Sequence, residues 1–213
     1  MSKIYNLFPT TVFESNIGVN KKEKDFLLNE NYDVVKQNDT KNGLTSLDKH
    51  ILDNTKYSSL KQKILKEINN YLYNIFQINK TINFYISSSW SIIHEKDDMA
   101  VSHYHVNSFV SGVYYFKTPK NCGNILFQRN RFTNNLFSSS YSLPLNMVNE
   151  YNTYEHSVEV EEGKLLLFPS HLLHTTEKNV SDEPRGSLAF NIFFEGKLGN
   201  ENDFDTLILK RGS

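Results

Sequence analysis

Between residues 55 and 76 apolar side chains return every three or four positions, at Tyr57, Leu60, Ile64, Ile68, Leu72 and Ile75. Lys61, Lys63, Lys66 and Glu67 fall mainly on the other side. That spacing predicts an amphipathic helix with its stripe against one face of a sheet. From residue 81 onward the period shortens to two. Ile82, Phe84, Ile86, Ser88, Trp90 and Ile92 are expected on one side of a single strand. Further strands are predicted over 106–116, 123–129, 156–160, 164–168, 171–177 and 186–195, and Glu161-Glu162-Gly163 reads as a hairpin turn. Upstream, residues 4–17 suggest short extended pieces interrupted at Pro9, residues 21–28 a short helix, and the Asn- and Asp-rich stretch 29–44 a loop. Residues 130–154 are polar, aromatic and weakly patterned, as a lid or substrate loop would be.

The pattern predicts an all-β core with N-terminal helices, in a sandwich or jelly roll. One domain spanning 1–213 is expected. Its 1–80 part supplies N-terminal strands and helical support, and 81–213 the β core. With 213 residues the chain is long enough for a substantial core, and 15 Phe, 12 Tyr and 1 Trp suit half-buried sheets. A net charge of −1 without a dense basic block argues against a stable nucleic-acid complex. Cys122, the one cysteine, has no internal disulfide partner, which suits a reducing cytoplasm. No signal-peptide h-region or 18-residue apolar run is present, so no membrane association is expected; a homo-oligomer stays open.

Three histidines carry the candidate chemistry. His103 and His105 sit at i and i+2, which on a strand puts both imidazoles on one face. His174 lies far along the chain, where a jelly roll returns a later strand beside an earlier one. Two ligands from one strand and one from another leave half an octahedron open, the arrangement that Fe(II), O₂ and a bidentate co-substrate require. His171 competes with His174. A pair of His105 with Asn107 competes with His103 and His105, although an amide oxygen is the poorer ligand for iron. Arg185, 11 residues beyond His174, is expected on the neighbouring antiparallel strand, with a planar fork suited to a carboxylate; Ser187 shares its face. Tyr114 and Tyr115 alternate faces, so one of them points inward, and Tyr115 is the candidate for a co-substrate hydrogen bond. Asn191, four residues past Ser187, is a candidate for the same ligand. Trp90 reads as core, His94 and His156 as structural or surface residues, and Cys122 lacks a paired base.

The ordered set His103-x-His105, Ser111-Gly112-Val113-Tyr114-Tyr115, Gly123-Asn124-Ile125-Leu126-Phe127, Gly163 to Ser170, His174 and Arg185-Gly186-Ser187-Leu188-Ala189-Phe190-Asn191 resembles the 2-oxoglutarate/Fe(II)-dependent oxygenases common in marine tailed phages and bacteria. The opening Leu7-Phe8-Pro9-Thr10-Thr11-Val12-Phe13 resembles that family's start. The resemblance implies a double-stranded β-helix (a cupin-like jelly roll) with His103, His105 and His174 at iron. It implies Arg185, helped by Ser187, at the distal carboxylate of 2-oxoglutarate. It further implies a dioxygenase that hydroxylates a substrate the sequence does not name, with O₂ consumed and succinate and CO₂ released. The wider superfamily has His-x-Asp or His-x-Glu where this chain has His103-Tyr104-His105. Two other readings stand beside it: a three-histidine cupin-type dioxygenase without 2-oxoglutarate, and a non-catalytic jelly-roll interaction module.

Overall fold

The computed structural model describes residues 2–37, 40–129, 144–200, 202 and 204–212. In chain order it holds β1 (Phe13–Asn16), α1 (Lys21–Leu28), β2 (Tyr32–Gln37), β3 (Thr40–Ser46), α2 (Ser58–Asn69), β4 (Asn83–His94), β5 (Val110–Lys117), β6 (Ile125–Gln128), β7 (Glu155–Val158), β8 (Lys164–Pro169), β9 (His174–Thr176), β10 (Arg185–Leu198) and β11 (Leu207–Leu209). The larger sheet runs β1-β8-β5-β10-β4-β3-β2, with β11 on the far end of β10; the smaller one runs β7-β6-β9. Every pairing within these sheets is antiparallel. This is the jelly-roll core with N-terminal helices that the pattern predicts.

The large sheet is covered on both faces. On one side α2 buries Leu60, Ile64 and Ile68 against Leu188, Phe190, Ile192, Leu165 and Leu167. Val113, Tyr115, Leu166 and Phe168 on the other side meet Ile125 and Phe127 of the small sheet. Double coverage explains why Leu165-Leu166-Leu167-Phe168 is an unbroken apolar run, since both faces of β8 are core. Close packing is tightest at Gly112, where a Cβ would lie 2.2 Å from Phe190 Cζ. The helical layer is fixed at its ends. Asn20 caps α1 by accepting from the backbone N–H groups of Lys22 and Glu23, and Glu23 in turn accepts from Leu60 N–H in the first turn of α2.

Several expectations change in three dimensions. The long helix is α2 followed by a π-helical segment, Asn70–Ile75. Its wider turn rotates the stripe, so that Tyr71 is buried while Ile75 is 49% exposed. The loop expected at 29–44 is the β2–β3 hairpin, an edge pair whose polar composition reflects its place at the sheet margin. Strand β4 does not keep one face. A bulge opposite Asn191/Ile192 places Ile86 in the helix-side core, while Trp90 and Ile92 point to the small sheet. Glu161-Glu162-Gly163 is not a hairpin turn, because β7 and β8 belong to different sheets and the segment crosses between them. Strand β11 escaped the sequence pattern. The stretch 130–143 of the expected lid lies outside the described residues. Among the described residues no helix is long and apolar enough to cross a membrane.

Candidate metal centre and the cavity beside it

The two outer histidines of the site come from an irregular segment between β4 and β5, not from the strand expected there. The backbone of His103 exchanges two hydrogen bonds with His174, N–H to O at 2.9 Å in each direction, and His105 N–H donates to Ser170 O at 2.9 Å. The loop is thus stitched to the β8–β9 connection at the point where β9 begins. A buried hydroxyl chain reinforces the join: Ser170 Oγ lies 2.8 Å from Ser108 Oγ and 2.9 Å from Ser111 Oγ.

One candidate ligand nitrogen from each of His103, His105 and His174 falls within 4.8 Å of the other two. The ring centroids are 4.3 to 5.2 Å apart, with His105 and His174 nearly parallel. Carbonyls fix two of the tautomers. His103 Nδ1 lies 2.7 Å from Val101 O and His174 Nδ1 lies 2.9 Å from Leu172 O. A carbonyl only accepts, so both Nδ1 atoms carry hydrogen and both Nε2 lone pairs are free for a metal. His105 is hydrogen-bonded by the Asn191 side chain, and its ring stacks on Trp90 at 5.7 Å. Burial, reinforced by the neighbouring His103, pushes the His105 imidazole down to about 4 and that of His174 down to about 3. Both are therefore neutral at physiological pH, the state in which imidazole binds metals. His171 is exposed and outside the cluster, and Asn107 is exposed with a left-handed backbone, φ 54°. Neither competing ligand assignment is favoured by this geometry.

Beyond the histidines a narrow cavity of about 90 Å³ runs between the sheets. Trp90, Ile92, Tyr115 and Phe168 are among its walls, and Arg185 and Ser187 line it together with all three histidines. Arg185 reaches it from β10 of the large sheet, not from a strand paired with β9, as expected from the sequence; the two strands belong to opposite sheets. Its guanidinium is 1% exposed. Nη1 donates to Cys122 O at 2.7 Å and Gly123 O at 3.0 Å, and Nη2 donates to Thr176 Oγ1 at 2.9 Å and His94 Nδ1 at 3.1 Å. Nε is buried with no hydrogen-bond partner, and among the described residues no carboxylate lies within salt-bridge distance. Burial lowers the affinity of this group for its proton, but arginine stays charged in proteins. Among the described residues Glu177 is the carboxylate that acts on it, at longer range, so in so dry a place this cation carries a desolvation cost on the order of several kcal/mol.

Tyr115 lines the cavity with its phenol held protonated by burial, whereas Tyr114 turns the other way and donates to Gly18 O at 3.0 Å. Ser187 is on the cavity wall as expected. Asn191 is on the same face but stands behind His105, with Oδ1 accepting from Ser111 Oγ at 2.9 Å and Nδ2 donating to Ser88 Oγ at 3.3 Å. Its place is beside a histidine and not on the cavity wall, contrary to the co-substrate contact expected of it. Trp90, His94 and Thr176 are among the wall residues that were missed. The signal for the first two was available, since Trp90, Ile92 and His94 alternate on one strand, and His94 and Arg185 are cross-strand partners.

Residues 88–191 match the family described as "Putative 2OG-Fe(II) oxygenase". The matched segment, just under half of the chain, carries all three histidines, Tyr115, Arg185 and Ser187. Solved structures of 2OG-Fe(II) enzymes share the fold. The epimerase SnoN from nogalamycin biosynthesis, described as α-ketoglutarate dependent, aligns with TM-score 0.62 at 11% identity over 96% of this chain and 90% of its own. HygX from Streptomyces hygroscopicus, solved with nickel, 2-oxoglutarate and hygromycin B, aligns with TM-score 0.53 at 13% identity over 86% and 82%. An oxidoreductase of the 2OG-Fe(II) oxygenase family from Burkholderia pseudomallei aligns with TM-score 0.51 at 10% identity over 80% and 76%. No curated protein matches the sequence. The family match is to 2OG-Fe(II) oxygenases, enzymes that use Fe(II), 2-oxoglutarate and O₂, and the solved structures share the fold.

Proposed function

We propose that the chain is a dioxygenase in which His103, His105 and His174 hold Fe(II), and Arg185, with Ser187 and Tyr115, receives the distal carboxylate of 2-oxoglutarate. The observation that carries this reading is that three imidazoles, those of His105 and His174 neutral, and a buried guanidinium with an unpartnered Nε line one narrow cavity. The donor set fits the group: imidazole is a good iron ligand, and an arginine is suited to a carboxylate. When bound, Fe(II) with 2-oxoglutarate supplies oxidation of a substrate C–H by O₂, releasing succinate and CO₂. A three-histidine site has no anionic ligand of its own, so the two negative charges of a dicarboxylate would offset two of the three positive charges on the metal and Arg185.

The chain's own residues do the positioning. Val101 and Leu172 carbonyls and Asn191 hold the imidazoles in place. Ile92, Val113, Ile125 and Phe168 keep the cavity dry, which strengthens every electrostatic contact inside it. A depression of about 490 Å³, lined by Tyr104, Val106, Phe109 and His171 among others, borders His105 and is the proposed approach for substrate. A three-histidine dioxygenase without 2-oxoglutarate would leave the guanidinium to an unspecified substrate anion, and a non-catalytic module would leave it unexplained. A single domain over 1–213, a cytoplasmic setting and an origin in the phage and bacterial branch of the family belong to this same reading.

The test is succinate formation from 2-oxoglutarate by the purified protein with Fe(II) and O₂. His174→Ala is expected to abolish it. Metal-loaded wild-type protein that neither binds 2-oxoglutarate nor forms succinate would refute the proposal.

A further inference from the structure

His94 ends β4 with its side chain 2% exposed and lines the same cavity as the three histidines and Arg185. Three contacts fix it. It is the direct cross-strand partner of Arg185 in the β4–β10 register. Its carbonyl accepts from Asn179 Nδ2 at 2.9 Å, which ties the end of β4 to the turn before β10. Its ring lies against Gly43, where a Cβ would be 2.8 Å from His94 Cδ2. Gly43 also has φ +91°, so its lack of a side chain serves the backbone and leaves room for the imidazole.

The hydrogen bond to Arg185 sets the tautomer. A guanidinium only donates, so His94 Nδ1, 3.1 Å from Nη2, carries the lone pair. Both terminal nitrogens of Arg185 are then engaged by protein acceptors, Nη1 on Cys122 O and Gly123 O, and Nη2 on His94 and Thr176. Nε is the nitrogen without a partner. We propose that His94 is a positioning residue for the dicarboxylate: by accepting from Nη2 it locks the guanidinium plane and reserves the Nε–H for the incoming carboxylate. This rests on the 2-oxoglutarate reading above and adds a residue outside the metal ligands and the arginine itself.

The experiment compares wild type, His94→Phe and His94→Asn, each loaded with Mn(II) and titrated calorimetrically with 2-oxoglutarate, with Mn(II) affinity measured separately. Phenylalanine keeps the ring and removes the acceptor. Asparagine places Oδ1 the same number of bonds from the backbone as Nδ1. Loss of one hydrogen bond to a charged group predicts roughly tenfold or greater weakening of 2-oxoglutarate binding in His94→Phe. Mn(II) affinity should stay within about twofold and His94→Asn should recover to within about threefold of wild type, both changes being well under one hydrogen bond's worth. His94→Leu, which removes the same acceptor with a smaller side chain, replaces the phenylalanine variant if that one does not fold. Unchanged 2-oxoglutarate affinity in the acceptor-less variant overturns the role of His94 while leaving the oxygenase reading intact. A parallel loss of Mn(II) affinity, or no recovery with asparagine, overturns it as well, since both point to packing alone. Wild-type protein that takes Mn(II) but no 2-oxoglutarate sinks both proposals together.

Discussion

Replacing Arg185 by lysine keeps the charge and removes the fork, so it asks whether the guanidinium's shape holds this cavity together. Arg185 makes four hydrogen bonds of 3.1 Å or less, to acceptors on the β5–β6 connection, on β9 and on β4. A lysine ammonium has three donors on one atom and cannot span acceptors that flank a planar group. At least two charge-assisted bonds are lost, each worth about 1.5–3 kcal/mol, so a destabilisation of about 3 kcal/mol is expected. At roughly 2–4 °C per kcal/mol for a chain of this size, the melting temperature should fall by about 6–12 °C. The assay is thermal denaturation followed by circular dichroism, with Mn(II) present, with and without 2-oxoglutarate. Ligand at a hundred times its dissociation constant raises stability by about 2.7 kcal/mol, and the lysine variant should lose most of that increment at the same concentration. A lysine variant that melts within about 2 °C of wild type and keeps the full increment would show that neither the hydrogen-bond fork nor the anion site depends on the guanidinium.

Two further outcomes follow from the histidines. In the metal-free protein His105 and His174 titrate at about 4 and about 3, below the ordinary imidazole value of 6.5. Between 6.5 and those values the unfolded chain binds more protons than the folded one, so the apo protein should lose stability as pH falls from about 6.5 to about 3, with the loss levelling off below. Urea denaturation across that range checks the sign; a flat profile would mean that the imidazoles are not desolvated. Asn191→Ala removes the side chain that hydrogen-bonds His105 and should weaken Mn(II) binding by about 10- to 100-fold with little change in fold, read by metal titration and circular dichroism.

What the sequence made legible follows from how local each signal is. The α2 stripe, α1, the strand set from β4 to β10 and the spacing of the histidines are written in neighbouring residues, and they could be read directly. Jelly-roll topology and the resemblance both group His174 with His103 and His105. Features that depend on two distant segments were lost. The β4 bulge is set by its pairing with β10, and without that register Ile86 and Trp90 look like residues of one face. The β2–β3 hairpin looks like loop because an edge pair carries few apolar residues to mark it. Asn191 has the right parity for the cavity and the wrong depth, because Ser111 and Ser88 engage its amide beside His105.

His94 illustrates the limit most sharply. Alone in the sequence it is a histidine that continues the alternation of Trp90 and Ile92 but has no partner at ligand spacing, and nothing there marks it as the neighbour of Arg185. Its meaning arises only when β4 and β10 are placed in register, Gly43 opens space for the ring, and the other acceptors around Arg185 are seen together. A metal ligand announces itself by spacing because three residues must meet at one point. A residue that orients another side chain needs only one contact, which any strand pairing can provide. The sequence therefore reveals the groups proposed to hold the metal more readily than the group proposed to aim the arginine, and substrate preference, which depends on the wall more than on the ligands, is the least legible of all.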